Sequence, residues 1–438
     1  MIVEKMTDLI GNTPLVKIPS ELTGLQNIEL YGKLEMMNPF GSVKDRVAWA
    51  MIKDDLQDIK EKGQKVFENS SGNTAKALAA ICATQNIPFK MVSAIAKVRE
   101  PKDMLRLLDA EIEEFASASD CFDPSDPNDP QFLIEKAVRE SGGKVYFTSQ
   151  FTNEKNPAAH EATTCVEILE DLGTVDYLVS GLGTTGSTLG LLRGFRKANP
   201  NFKAVALVSK GGQMIPGIRS LDQMWESGLY QEGSYEHHCV VSEKEALEAM
   251  LELNRRMGIL CGPSAGANYA GACAFLKTID AKVEKGTKAV FIVCDRVEWY
   301  LTYIRERMPE IFGEQHKPDS LFNFDLEAVG GAPELPAANV EEWIAANQPT
   351  VIDTRSPLAY KLSHLPGALN IPVEMLGRMI DGADPFPKDR PVLLICAVGE
   401  KTRLHAGYLK SRGYEAYSLE GGMLGWKQAE MAKAKQAA

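Results

Sequence analysis

The chain has 438 residues, 44% hydrophobic and 24% charged, the composition of a soluble globular protein too long for one ordinary domain. A formal charge of −11 argues against nonspecific nucleic-acid binding, which needs basic surface to neutralise phosphates. The eight cysteines lack regular spacing or a C-x-x-C pair, which argues against a disulfide framework, zinc or an iron–sulfur cluster. No run approaches the roughly 18–20 apolar residues of a membrane span. The acids in "MIVEKMTDLIGNTPL" do not suit a signal peptide, so the expectation is a reduced, cytoplasmic protein with no membrane or nucleic-acid partner and no metal.

From Lys33 to Cys294 the pattern predicts helices over Val43–Ile59 and Thr74–Thr84, a strand over Phe89–Ser93, and a helix over His160–Leu172. A strand over Tyr177–Ser180, a helix over Ser187–Lys197, a strand over Ala204–Val208, a helix over Lys244–Met257 and a strand over Ala289–Cys294 follow. Helices alternating with short Val/Ile-rich runs indicate parallel βαβ units, an α/β fold. "DPSDPNDP", Asp123 to Pro130, reads as a solvated surface turn. "IFGEQHKPDSLFNFD" breaks the alternation, which suggests a first domain over 1–312, a linker over 313–333 and a second domain over 334–438. The second domain is a smaller α/β pattern, with strands at Val351–Asp353, Val392–Ile395 and near Ala416–Leu419.

Within "KLEMMNPFGSVKDRVAWAMI", Asn38, Pro39 and Gly41 suggest a turn, and Ser42 an N-cap for a helix starting at Val43. Lys44 then lies in the first helical turn, an unfavourable place for a cation, where a neutral amine is easier to obtain. Alone, such a lysine reads as an ordinary surface residue. Two further stretches change its weight. "SSGNTAKALAA", Ser70 to Ala80, is a polar turn opening a helix and suited to clamping a carboxylate. In "VSGLGTTGSTLGLL", Gly183 and Gly186 with the hydroxyls of Thr184, Thr185 and Ser187 are suited to cradling a phosphate. The GxGxxG spacing at Gly181–Gly186 lacks the acid a dinucleotide site needs about twenty residues on.

With "IGNTPLVKIP", "NPFGSVKDR", "SSGNT", "QFTNEKNPAAHEATT", "GLGTTGS", "LCGPSAGAN" and "DRVEWYLT" in this order, the chain resembles the pyridoxal-phosphate enzymes of fold type II. Within them it resembles the cysteine synthase and cystathionine β-synthase group, over roughly two thirds of its length. The resemblance implies pyridoxal 5′-phosphate held by Lys44, Asn73 at the cofactor's 3′-oxygen, Gly183, Thr184, Thr185, Gly186 and Ser187 around its phosphate, and Ser264 at its pyridine nitrogen. It further implies Ser70, Ser71, Thr74 and Gln150 at the substrate carboxylate, small-molecule amino-acid substrates and a homodimer. A hydroxyl at the ring nitrogen, in place of a carboxylate, suits β-elimination better than transamination. Ala75 and Cys165 depart from the family's usual glycines, and Asn69 from a frequent proline. "PGIRS" resembles the members that use O-phosphoserine, which would make Arg219 a bidentate phosphate ligand.

"LLICAVGEKTRL", Leu393 to Leu404, is a buried strand ending on Cys396; alone, that thiol reads as inert core. With "VIDTRSPLAYKLSHLPGALNIP" and "LEGGMLGW" on either side it resembles a rhodanese (sulfurtransferase) domain over about Glu334 to Gln428. The resemblance implies a loop of Cys396, Gly399, Lys401 and Thr402 whose backbone N–H groups stabilise a bound anion or persulfide. Lys401 and Thr402 stand where arginine and serine are usual, so thiosulfate need not be the donor. Asp353, Arg355 and His364 read as structural, and Cys261 and Cys294 as core. The expectation is a β-replacement enzyme acting on O-phosphoserine or O-acetylserine with a sulfur nucleophile, fused to a sulfur carrier. A cysteine desulfhydrase, a cyanide-using β-cyanoalanine synthase and a non-catalytic sulfur-binding regulator are the alternatives.

Overall fold

The computed structural model describes residues 2–70, 72–94, 98–115, 130–314, 321, 324, 326, 331–381 and 383–437. Ser71 and residues 123–129 of the proline-acidic turn lie outside them. Residues 1–114 and 130–306 belong to one compact unit and residues 307–438 to a second.

The first unit holds β1 (Leu15–Lys17), β2 (Ile28–Lys33), β3 (Lys65–Asn69), β4 (Phe89–Ala94), β5 (Glu111–Phe115), β6 (Val145–Phe147), β7 (Tyr177–Gly181), β8 (Lys203–Ser209), β9 (His237–Val241) and β10 (Thr287–Ile292). A six-stranded sheet runs β1-β2-β10-β7-β8-β9, parallel except for β1. A four-stranded sheet runs β5-β4-β3-β6, with β3 parallel to both neighbours. The central strands are apolar without alternation: in β8 every residue after Lys203 is buried. That is the pattern of a parallel sheet covered on both faces.

The predicted helix over Val43–Ile59 is interrupted. An α-helix spans Lys44–Ile52, a 3₁₀ turn Lys53–Asp55, and a second helix Leu56–Lys62. The Tyr146 hydroxyl lies 3.0 Å from Met51 O and 2.7 Å from Asp55 Oδ2, so a side chain from another element enters the ladder where it breaks. Before the break, Val47, Ala48, Met51 and Ile52 form a buried stripe against Leu78, Ile81 and Met91. The predicted His160–Leu172 helix opens with a π turn, His160–Thr164, and the Lys244–Met257 helix closes with one, Leu253–Met257.

The second unit holds β11 (Glu334–Leu335), β12 (Thr350–Asp353), β13 (Leu369–Asn370), β14 (Val392–Ile395) and β15 (Ala416–Leu419). All pair in parallel in the order β11-β15-β14-β12-β13. β14 is buried at every position, with Leu394 packed on Ala406 and Leu409, and Leu393 and Ile395 on Leu365 and Met423. Parallel strands of open α/β sheets place their functional loops at carboxyl ends. Ser70 follows β3, Gly183 follows β7, "DRVEWYLT" follows β10 and Cys396 follows β14.

Candidate active site

Lys44 opens its helix after a turn closed by the Gly41 N–H donating to Asn38 O at 2.8 Å. Ser42 does not occupy the N-cap position; Val43 does, with helical φ −53 and ψ −23 and no capping side chain. Ser42 Oγ instead accepts from the Lys44 N–H at 3.2 Å, and the Asp45 carboxylate accepts from the Phe40 N–H at 2.6 Å. The turn's donors are therefore met by an acid already inside the helix. The Lys44 side chain is half-buried and its Nζ reaches 3.4 Å from Thr184 Oγ1. Loss of hydration pushes its pKa down, against the pull of Cys294 and Asp295, which makes the neutral amine easier to reach.

Thr184 belongs to the loop joining β7 to the 13-residue helix Gly186–Ala198. Asn156 Nδ2 donates to Thr184 Oγ1 at 3.1 Å, and Ser227 Oγ donates to Thr184 O at 2.9 Å. A Cβ on Gly183 would come 2.5 Å from Gly217 O, and one on Gly186 would come 1.9 Å from Asn156 Oδ1. The loop therefore lies against its supports at glycine distance, and Thr185 takes the left-handed region at φ 64 before the helix begins. Backbone N–H groups at such a helix start are suited to an anion.

After β3, Ser70 Oγ accepts from the N–H groups of Gly72 and Ala75 at 3.4 and 3.3 Å. Thr74 Oγ1 donates to Gln150 Oε1 at 2.6 Å, and Gln150 Nε2 donates to Asn69 O at 2.8 Å. The structure thus brings Ser70, Thr74 and Gln150 together, although Gln150 is 76 residues from Thr74. The Arg219 guanidinium lies 5.0 Å from the ring centroid of Phe151, the residue after Gln150 in the chain.

Asn73 and Ser264 meet around a residue to which sequence reasoning assigned no role. Asp295 Oδ2 accepts from Asn73 Nδ2 at 2.6 Å and from the Tyr300 hydroxyl, while Ser264 Oγ lies 3.5 Å from Oδ1. Burial pushes the Asp295 carboxyl up; Tyr300, Lys76, Asn73 and Ser264 oppose that rise. "DRVEWYLT" was the available signal, but nothing local distinguishes its aspartate from a surface acid. Cys294, expected as core, is only half-buried, and burial pushes its thiol up to about 12.

In the second unit Cys396 is 6% exposed at the end of β14. Its Sγ accepts from the Gly399 N–H at 3.1 Å and from Thr402 Oγ1 at 3.5 Å. Thr402 Oγ1 lies 2.8 Å from Ser418 Oγ on β15. Gly399 turns at φ 90, and a Cβ there would press within 3.0 Å of Gly421 N and Leu419 O. Cys396, Gly399 and Thr402 are thus one cluster, while Lys401 contributes its carbonyl to His405 Nδ1 at 2.8 Å. Asp353 and Arg355 form a buried ion pair at 2.6 Å under the neighbouring strand end, and His364 stacks on Tyr360 at 4.1 Å.

Residues 6–295 match the family described as "Pyridoxal-phosphate dependent enzyme", and residues 336–429 match "Rhodanese-like domain". Cysteine synthase B of Pseudomonas aeruginosa is 33% identical over 68% of this chain and 95% of its own. A hydrogen sulfide-producing enzyme from Fusobacterium nucleatum superposes with TM-score 0.60 at 32% identity, over 69% of this chain and 99% of that one. An O-acetylserine dependent cystathionine beta-synthase from Helicobacter pylori gives TM-score 0.61 at 25% identity, over 69% and 98%. The residues fit the cofactor: a half-buried lysine, a glycine-lined helix start, and Asn73 Oδ1 buried without a partner. With its loops and its relatives in agreement, the chain belongs to the pyridoxal-phosphate-dependent enzymes and carries a rhodanese-like domain behind that fold.

Proposed function

We propose that the first unit catalyses β-replacement on a serine derivative, with O-phosphoserine as the amino-acid substrate, and that the second carries sulfur as a Cys396 persulfide. The observation that carries the reading is the Lys44 amine at the Thr184 loop, held towards its neutral form by burial. Pyridoxal phosphate, held by Lys44 with Asn73, Ser264 and Gly183–Ser187 around it, supplies the sink for the electron pair left at the substrate's α-carbon. Thr74, Gln150 and Ser70 bind and orient the substrate carboxylate. Lys44 Nζ would take the α-proton. The β-substituent leaves with its bonding electrons, and the sulfur nucleophile bonds to the β-carbon.

Arg219 supports O-phosphoserine over O-acetylserine, because its guanidinium lies over Phe151, the residue that follows the carboxylate-binding candidate Gln150 in the chain. A second reading, sulfide release from cysteine, draws on the hydrogen sulfide-producing relative. Turnover of O-phosphoserine, O-acetylserine and cysteine, the first two with sulfide, separates the readings. Arg219→Ala is expected to lower kcat/KM for O-phosphoserine by about 10- to 100-fold and to leave O-acetylserine nearly unchanged. Equal losses on both would refute the phosphate assignment. Cys396→Ser is expected to abolish protein-bound sulfane sulfur and to spare turnover with free sulfide.

A further inference from the structure

Lys76 is 2% exposed, and its Nζ has no hydrogen-bond partner. It lies on the helix Asn73–Thr84, three residues after Asn73 and so on the same face, with its ammonium 3.6 Å from the centroid of the Trp299 ring. An aromatic face attracts a cation, but it does not replace the hydration that a buried ammonium loses. Burial accordingly pushes the amine down to about 8. Asp45 on the Lys44 helix and Asp295 after β10 attract it most, Arg296 opposes it, and Glu298 adds a weaker pull. Glu100, on a helix packed against the same one, is held at this corner by the Thr302 N–H at 2.6 Å.

We propose that Lys76, seated on Trp299, is a positioning residue that keeps Asp295 ionised and so holds Asn73 and Tyr300 in place around the cofactor ring. The inference rests on the assignment of Asn73 and Ser264 to that ring. Asp295 Oδ2 accepts from both Asn73 and Tyr300, which suits a carboxylate. Burial works against that carboxylate; the Tyr300 hydroxyl counters it most, and Lys76 adds a positive charge to that opposition. A neutral Lys76 removes one of the influences that oppose a proton on Asp295, and so favours the protonated carboxyl. The resulting O–H is a donor facing the Ser264 hydroxyl or competing with the Asn73 amide, and the arrangement around the ring changes. Raising the pH through the Lys76 titration has the same effect on the charge as replacing the residue.

The test compares wild type with Lys76→Met, which keeps the stem and loses the charge, and Lys76→Arg, which keeps a charge able to stack on an indole. In cofactor-free protein, tryptophan emission is followed from about pH 6 to about pH 10, the range spanning a lowered lysine. Wild type is expected to show a step centred near 8, absent in Lys76→Met and in Trp299→Phe. In loaded protein, Lys76→Met is expected to shift the pH dependence of the cofactor's absorption by about one unit or more. Its kcat is expected to fall about ten-fold at pH 7 with KM little changed. Lys76→Arg restores both, and Lys76→Met melts no lower than wild type, because a buried unpartnered amine has been removed. A flat wild-type emission curve, or a Lys76→Met protein with the wild-type cofactor spectrum at every pH, overturns the proposal. Failure of wild type to turn over serine derivatives would overturn the proposed reaction instead, and the emission and absorption curves would still decide the role of Lys76.

Discussion

Glu68 ends β3 with its side chain wholly out of solvent. Its Oε2 accepts from the Thr148 hydroxyl and, at 3.3 Å, from the Gln150 N–H, while Oε1 has no partner. Burial pushes this carboxyl up to about 8, so the folded chain keeps a proton that the unfolded chain releases. The resulting contribution to stability is complete below the ordinary glutamate value of about 4.3 and is lost as pH rises through about 8. Melting temperature is expected to fall between about pH 4.3 and about pH 8, and Glu68→Gln to flatten that fall, worth a few kcal/mol at the alkaline end. A pH series of thermal melts on both proteins checks this; parallel curves would assign the proton elsewhere. In the sequence, Glu68 looks like any acid at a strand end. Asp295 and Tyr300 are equally silent there, being 222 and 227 residues from the asparagine they hold.

At the scale of the element, the helix carrying Lys44 is fixed from below by Arg46. That side chain is 4% exposed and reaches Glu35 at 2.7 and 2.8 Å and Glu167 at 2.6 and 2.7 Å. Lys33 Nζ also meets Glu167, at 2.8 Å. Arg46→Met would strand the fully buried Glu35 carboxylate, and is expected to cost about 3–5 kcal/mol in a denaturant titration. Arg46→Lys, with charge but no fork, is expected to fall between. A loss below about 1 kcal/mol would show that Glu35 has been neutralised by other means. The helix itself was legible in "VKDRVAWAMI", whose apolar spacing places one stripe inward. Its end was not legible, because Tyr146, which enters the ladder there, comes from β6 and a different part of the chain.

At the scale of the whole molecule, each unit keeps apolar clusters of its own: Val47 with Leu78, and Leu178 with Val290, in the first, and Ile352, Leu394 and Leu409 in the second. Heat denaturation is therefore expected to depart from a two-state transition and to resolve into two. Pyridoxal phosphate at about 100 times its Kd adds about 2.7 kcal/mol to whichever unit binds it, by mass action. Calorimetry with and without cofactor is expected to move one transition and leave the other, and a single transition moved as a whole would show coupled unfolding. The order of residues alone was enough for the α/β class, the parallel strands, and the loops opened by Ser70, Gly183 and Cys396. Those depend on spacing, side-chain branching and turn chemistry, which act over a few neighbouring residues. Only folding decided that Asp295 stands between Asn73 and Ser264, that Lys76 lies on Trp299, and that Ser418 backs the Cys396 loop. Burial and charge at those places come from residues far apart in the chain, and their energies exist only once distance and exclusion of water have been set by packing.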